Sequence, residues 1–155
     1  MPDKKPDLRA RLFHAWFLLT RPMTLGVRAI ATDGEGRVLL VKHTYVAGWH
    51  LPGGGVESGE TVWQALAKEL REEANAEFGA SPRLHSVHFN NRVTRRDHVM
   101  VFHCLDVRQV ARKTPDREIV AAEFFAFDAL PEGVTQSTAQ RLQEFSTGSA
   151  PDPFW

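Results

Sequence analysis

At 155 residues, the chain suffices for one ordinary domain that buries roughly two thirds of its unfolded surface, and no second domain is needed. Its 19 basic and 19 acidic residues cancel, which argues against nucleic acid or an anionic membrane as the main partner. Cys104 is the only cysteine, so no internal disulfide forms, and a reducing, cytoplasmic location fits.

Residues 1–7, MPDKKPD, combine two prolines with four charged side chains and read as a mobile tail. From Leu8 to Leu19 the apolar residues Leu12, Phe13, Trp16, Phe17 and Leu19 fall near helical spacing, and Arg21-Pro22 ends the run. This helix needs a partner surface; packing on the core is favoured, and a homodimer interface stays open. The run is too short and interrupted to span a bilayer and lacks the small-residue cleavage site of a signal peptide. A soluble protein is expected.

Thr24–Thr32 and Arg37–His43 are β-rich runs around Asp33-Gly34-Glu35-Gly36, which predicts a hairpin with VLLV as a central strand. After the loop TYVAGWHLPGGG, a helix is expected over about residues 60–75, with Ser58 or Gly59 near its N-cap. Arg83–Asn91 and His98–Val107 flank the basic turn NRVTRRD and predict a second hairpin. Ala122–Phe127 adds a strand, Gly133–Phe145 a closing helix that starts near Thr135 or Ser137, and residues 148–155 a loosely docked tail. Strands interleaved with helices in this way give an α/β domain, residues 8–147, with a mixed sheet and helices on its faces.

The chemistry concentrates in the stretch from Gly54 to Ala76, GGVESGETVWQALAKELREEANA. At about 100° per residue, Glu69 lies at about 0°, Glu73 near 40° and Glu72 near 300°, so the three carboxylates share one arc beside the apolar stripe. Like charges four residues apart destabilise a helix by a few tenths of a kcal/mol, a cost that a bound cation offsets. Carboxylate oxygens suit hard cations, so Mg²⁺ or Mn²⁺ is the expected metal. Upstream, Pro52-Gly53-Gly54-Gly55 allows a tight turn and a close approach of backbone to ligand. Taken alone, an acidic cluster is as often a solvated helix face, and a glycine run a simple turn.

Gly54, Glu60 and the block Lys68-Glu69-Leu70-Arg71-Glu72-Glu73-Ala74-Asn75-Ala76 together resemble the signature of the Nudix hydrolases. With VLLVKH and GWHLPGG before it and EIVAAEFFAFDALPEG after it, the likeness spans roughly residues 25–145. Lys68 stands where the family has Arg, Asn75 where it has Gly, and Ala76 is smaller than the usual aliphatic residue. Lys keeps the charge but not the planar fork, whereas Asn can still adopt the left-handed conformation that ends a helix.

The resemblance implies the Nudix fold, with its mixed β-sheet sandwiched between helices. It further implies metal-dependent cleavage of a diphosphate linkage in a nucleoside diphosphate derivative or nucleoside triphosphate, by water attack on phosphorus. It assigns Glu69 and Glu73 as leading metal ligands, Glu72 as a contributor, the Gly53 carbonyl as a further ligand and Glu60 as support for the loop. Glu118 lies where members often place another catalytic glutamate, with Asp116 and Glu123 as rivals. Catalysis is thus expected from Glu69, Glu73 and Glu118. Arg28, in an apolar strand, is a candidate phosphate clamp; Arg92 could steer polyphosphate from the basic turn, and Trp49 or Tyr45 could stack on a base. No histidine shows metal-ligand spacing. Arg92, Val93 and Thr94 match neither the Pro of ADP-ribose members nor the Tyr of diadenosine-polyphosphate members, so the substrate stays open. The alternative is a Nudix-fold sensor that binds a nucleotide without cleaving it.

Overall fold

The computed structural model describes residues 8–92 and 94–155; the expected tail at residues 1–7 lies outside them. The elements run α1 (Leu8–Thr20), β1 (Thr24–Ala31), β2 (Val38–His43), β3 (Trp49–His50), α2 (Val62–Ala74), β4 (Ala76–Glu77), β5 (Arg83–Phe89), β6 (Asp97–Cys104), β7 (Arg108–Gln109), β8 (Ile119–Phe125) and α3 (Gln136–Thr147). One sheet has the order β1-β6-β5, a second β3-β2-β8, and β4 pairs with β7. β1 lies parallel to β6, from Thr24 beside Asp97 to Ala31 beside Cys104, whereas β5 and β6 form the expected antiparallel hairpin. The VLLV strand is central in its sheet, between β3 and β8.

The first expected hairpin does not form. Asp33 makes the turn, accepting from the backbone N–H groups of Glu35 and Arg37 and from Arg37 Nε. Beyond a single bridge between Thr32 and Val38, however, β1 and β2 diverge into different sheets. Strands buried on both faces read as continuous apolar runs, and neither turn residues nor such runs say which strand each will pair with.

Strand alternation sorts the core into two clusters. Val27, Ala29, Ala31, Leu39, Val41, Phe102 and Cys104 pack with Ala65, Leu66, Leu70 and Ala74 of α2. Their neighbours Ile30, Val38, Leu40 and Val101 pack with Leu142 of α3, against which Phe145 also lies. Successive strand residues face opposite ways, so α2 and α3 cover opposite faces and the layers are α/β/α.

α1 departs from the expectation that it packs on the core. It buries no residue, and Leu12, Phe13 and Trp16 are each 60% exposed or more. Helical spacing identified the helix; its apolar residues are spread around the axis instead of forming one stripe that could dock.

α2 starts later than expected. Thr61 is the N-cap and forms a capping box with Gln64, which places Glu60 in the preceding loop. Asn75 closes the helix at φ 50°, its N–H bonded to the Leu70 and Arg71 carbonyls, as its tolerance of the left-handed region allows. Thr135 caps α3 and Gly148 ends it.

The segment after α3 is docked firmly, not loosely. Phe89 N–H donates to the Pro153 carbonyl and Trp155 N–H to the Phe89 carbonyl. Arg141, fully buried, donates to the Phe154 carbonyl and to Glu144. These partners are backbone groups and a buried guanidinium, which composition alone does not reveal.

Candidate active site

The glycine loop is fastened along β1. Val27 N–H donates to the Gly54 carbonyl, Ala29 N–H to the Pro52 carbonyl and Val56 N–H to the Leu25 carbonyl. Gly53 sits at φ 143°, and a Cβ there would collide with the Val27 carbonyl; only glycine fits. At Gly54 a Cβ would strike the Glu69 carboxylate instead. The two glycines therefore do different work: Gly53 lets the loop meet β1, and Gly54 leaves room for a carboxylate of α2.

Glu73, 8% exposed, is held on both oxygens. Oε1 lies 2.7 Å from His43 Nε2, and Oε2 accepts from Gly53 N–H at 2.8 Å. Glu69 stands one turn earlier and is mostly buried, and burial, with the adjoining Glu73 charge, pushes its carboxyl up to about 6. Glu72 is exposed, and among the described residues its carboxylate has no hydrogen bond or ion pair. Arg28 reaches across from β1 and donates to the Leu51 and Gly53 carbonyls. The ordinary salt bridge that would be its commonest alternative is absent among the described residues, and the guanidinium already engages the Gly53 carbonyl expected to face a metal.

Behind this row, Lys68 Nζ lies 3.2 Å from each Glu60 oxygen and 4.0 Å from Glu69 Oε1. Glu60 also accepts from Glu57 N–H at 3.0 Å, a bond within the loop that precedes α2.

Further lining of the cleft around these carboxylates comes from the segment before β8. Lys113 pairs with Asp116 at 2.6 Å and donates to the Glu72 carbonyl, tying the segment to the end of α2. Asp116 also accepts from Glu118 and Ile119 N–H; the Lys113 hydrogen bond, then these two N–H groups, hold its carboxyl well below the usual carboxylate range. Asp116 is thereby committed to shaping the segment. Arg28, Tyr45, Gly53, Gly54, Glu69, Glu72, Glu73, Asp116, Arg117, Glu118 and Ile119 line one open cleft of about 670 Å³. Burial, and next the Glu73 charge, raise the Tyr45 phenol above its ordinary value.

The structure thus gathers Arg28, Gly53, Gly54, Glu69, Glu72, Glu73 and Glu118 around one space. It leaves out Trp49, whose ring packs edge-on against Phe125 at 5.0 Å and joins the α3-side core, and Arg92, exposed in the β5–β6 turn. Glu123, the other rival to Glu118, faces away in the β2–β8 ladder, beside Leu40. His43 was missed. Its signal was present: it continues the alternation of Leu39 and Val41, the face that packs on α2.

Among the described residues no three His, Cys, Asp or Glu side chains form a ready metal cage. Mg²⁺ does not require one, since it uses one or two carboxylates and completes its shell with water and substrate phosphates. The donor set fits: all carboxylate oxygen, with Glu69 raised first by burial and next by the Glu73 charge, both of which a bound cation would offset. Glu69 and Glu72 have free lone pairs toward the cleft, and each Glu73 oxygen keeps a second one.

The family model of the NUDIX domain matches residues 22–145. An ADP-ribose pyrophosphatase of Methanocaldococcus jannaschii is 34% identical over 115 residues, 67% of this chain and 65% of that protein. An RNA pyrophosphohydrolase of Halorhodospira halophila is 37% identical over 76 residues, 45% of this chain and 42% of that protein. The chain thus spans less than two thirds of either curated relative. Among solved structures, a MutT NUDIX hydrolase from Burkholderia pseudomallei superposes with a TM-score of 0.65 at 26% identity, covering 77% of this chain and 95% of that one.

Proposed function

The chain belongs to the Nudix family, and from that premise we propose that it is a hydrolase cleaving a diphosphate linkage in a nucleoside diphosphate derivative or nucleoside triphosphate. The observation that carries the reading is the convergence of Glu69, Glu72, Glu73, Glu118 and Arg28 on one open cleft. Neither curated relative fixes the substrate, since one is named for ADP-ribose and the other for RNA.

Glu69 and Glu72 would hold Mg²⁺ or Mn²⁺, with Glu73 reaching the same ion or orienting its ligands. When bound, such an ion neutralises phosphate oxygens and lowers the pKa of attacking water. His43 and the Gly53 N–H fix the Glu73 carboxylate, which preorganises it at no cost during reaction. Arg28 can turn from the Gly53 carbonyl to a phosphate oxygen, where its planar fork binds with two bonds. Glu118 would take a proton from water, a role supported by its place in the lining of the same cleft.

Chromatographic separation of the nucleoside phosphate products formed from a panel of nucleotide derivatives, with Mg²⁺, Mn²⁺ or chelator, tests the reading. Metal-dependent turnover that Glu73→Gln reduces by at least about a hundredfold is expected. Tight nucleotide binding with no turnover on any substrate would overturn it in favour of a nucleotide sensor.

A further inference from the structure

α1 concentrates exposed apolar surface. It buries no residue, and Leu8, Leu12, Phe13, Trp16, Leu18 and Leu19 are each at least 60% exposed. A contiguous apolar surface of this kind marks an interaction site. Its charge is as one-sided as its hydropathy. From Leu8 to Thr32 the chain has no Asp or Glu, whereas Arg9, Arg11 and Arg21 are exposed. Thr24 N–H donates to the Arg96 carbonyl, and Thr24 stands beside Asp97 in the β1–β6 ladder. The end of α1 therefore abuts the β5–β6 turn, where Arg92, Arg95 and Arg96 are exposed as well. Among the described residues none of these six guanidinium groups pairs with a carboxylate. The zero net charge that argues against an anionic membrane is thus an average. It hides a basic, apolar end that is balanced by carboxylates elsewhere, five of which line the cleft.

Two properties decide what covers this surface. The first is shape: a protein groove takes one apolar stripe of a helix, and the apolar residues of α1 surround its axis. The boundary between lipid headgroups and acyl chains receives several sides of a helix at once, because arginine stems lie along apolar surface while their heads reach the phosphates. Aromatic rings such as Phe13 and Trp16 favour the same depth. The second is charge: the arginines repel a second copy of this surface and attract the phosphates of anionic lipid. At 13 residues α1 is about 20 Å long, short of the ~30 Å hydrocarbon core, and no helix among the described residues is long and apolar enough to cross a membrane. The helix therefore lies in the interface and does not span it. We propose that α1 and the arginines of the β5–β6 turn form a docking surface for an anionic phospholipid bilayer, with Trp16 and its apolar neighbours inserted and the guanidinium groups on lipid phosphates. The proposal goes beyond the hydrolase reading and does not depend on it.

Flotation of the full chain with lipid vesicles tests this. Vesicles of about three parts phosphatidylcholine to one part phosphatidylglycerol are expected to bind at least about tenfold more tightly than phosphatidylcholine alone at about 0.1 M salt. Raising the salt to about 0.5 M should remove most of that preference. Removing residues 8–20, a helix that buries nothing, is expected to abolish binding. Trp16→Ser should weaken it about tenfold, while Trp16→Phe keeps most of it. Replacing Arg92, Arg95 and Arg96 together by Ser leaves α1 intact and should also cost about tenfold or more. Equal binding to both vesicle types, or binding that survives removal of residues 8–20, would overturn the proposal. So would a lipid-free dimer, seen by sedimentation, that residues 8–20 hold together and no vesicle takes up; the surface would then belong to a second copy of this chain. None of these measurements reads turnover, so the hydrolase reading stands or falls separately.

Discussion

Lys68 Nζ sits 3.2 Å from both carboxylate oxygens of Glu60, residues in a helix and in the loop preceding it. The lysine therefore ties the loop to the helix at the position where arginine is usual. The bond from Glu57 N–H and the Lys68 ammonium hold the Glu60 carboxyl below its ordinary value. Lys68→Arg, which keeps the charge and adds a planar fork, is expected to match or exceed the wild-type rate. Lys68→Met is expected to lose about tenfold, read as kcat/KM on the best substrate. Equal rates for wild type and Lys68→Met would show that the tie is dispensable.

Gly54 and Gly53 should fail in different ways. A methyl at Gly54 displaces the free end of the Glu69 side chain, so Gly54→Ala should fold normally and lose about a hundredfold in turnover. At Gly53 a methyl meets backbone, at φ 143°, so Gly53→Ala should yield little folded protein. Circular dichroism and turnover together separate the two; a stable, active Gly53→Ala would contradict the loop geometry.

Glu73 should show a split between its glutamine and alanine variants. Glutamine can still accept from Gly53 N–H and donate to His43, so Glu73→Gln should melt near wild type. Glu73→Ala orphans both buried partners, costing about 1–3 kcal/mol and lowering Tm by about 2–12 °C. Identical melting of the two variants would mean that the pairing adds nothing to stability.

Burial pushes the Cys104 thiol up to about 12, so below that pH the unreactive thiol, not the nucleophilic thiolate, predominates. Native protein at pH 8 should react with a thiol reagent far more slowly than unfolded protein, which should take up one equivalent. Rapid labelling of the native state would contradict this environment.

The two ends of the described chain should respond oppositely to truncation. Removing residues 8–20 deletes a helix with no buried residue, and Tm should stay within about 2 °C. Removing residues 151–155 strips partners from Phe89 and from the buried Arg141. A loss of about 3 kcal/mol would lower Tm by about 6–12 °C. Calorimetry of both truncations checks the contrast.

Local signals were legible wherever one segment sufficed to specify them. The β5–β6 hairpin, α2 with Asn75 as its end, and the common arc of Glu69, Glu72 and Glu73 all rest on short-range periodicity and turn chemistry. The short strands β3, β4 and β7, two residues each, carry too little pattern to be read. The expected β1–β2 hairpin failed because pairing is a choice among distant strands, and β6, not β2, lies beside β1.

The sequence by itself determined the family, the α/β class and the candidate site's carboxylates, because the signature packs Gly54, Glu60, Glu69, Glu72 and Glu73 into one continuous stretch. Only the tertiary structure decided their surroundings. It buried Glu73 against His43, put Glu118 in the lining of the same cleft, left Trp49 and Arg92 outside it, and brought Asn90, Asp97 and Trp155 together around a cavity that Gly54 also lines. Residues up to 131 positions apart line one cavity, as Thr24 and Trp155 do. Helical and strand periodicity fixes which face a residue occupies, but only the packing of distant elements fixes what that face meets.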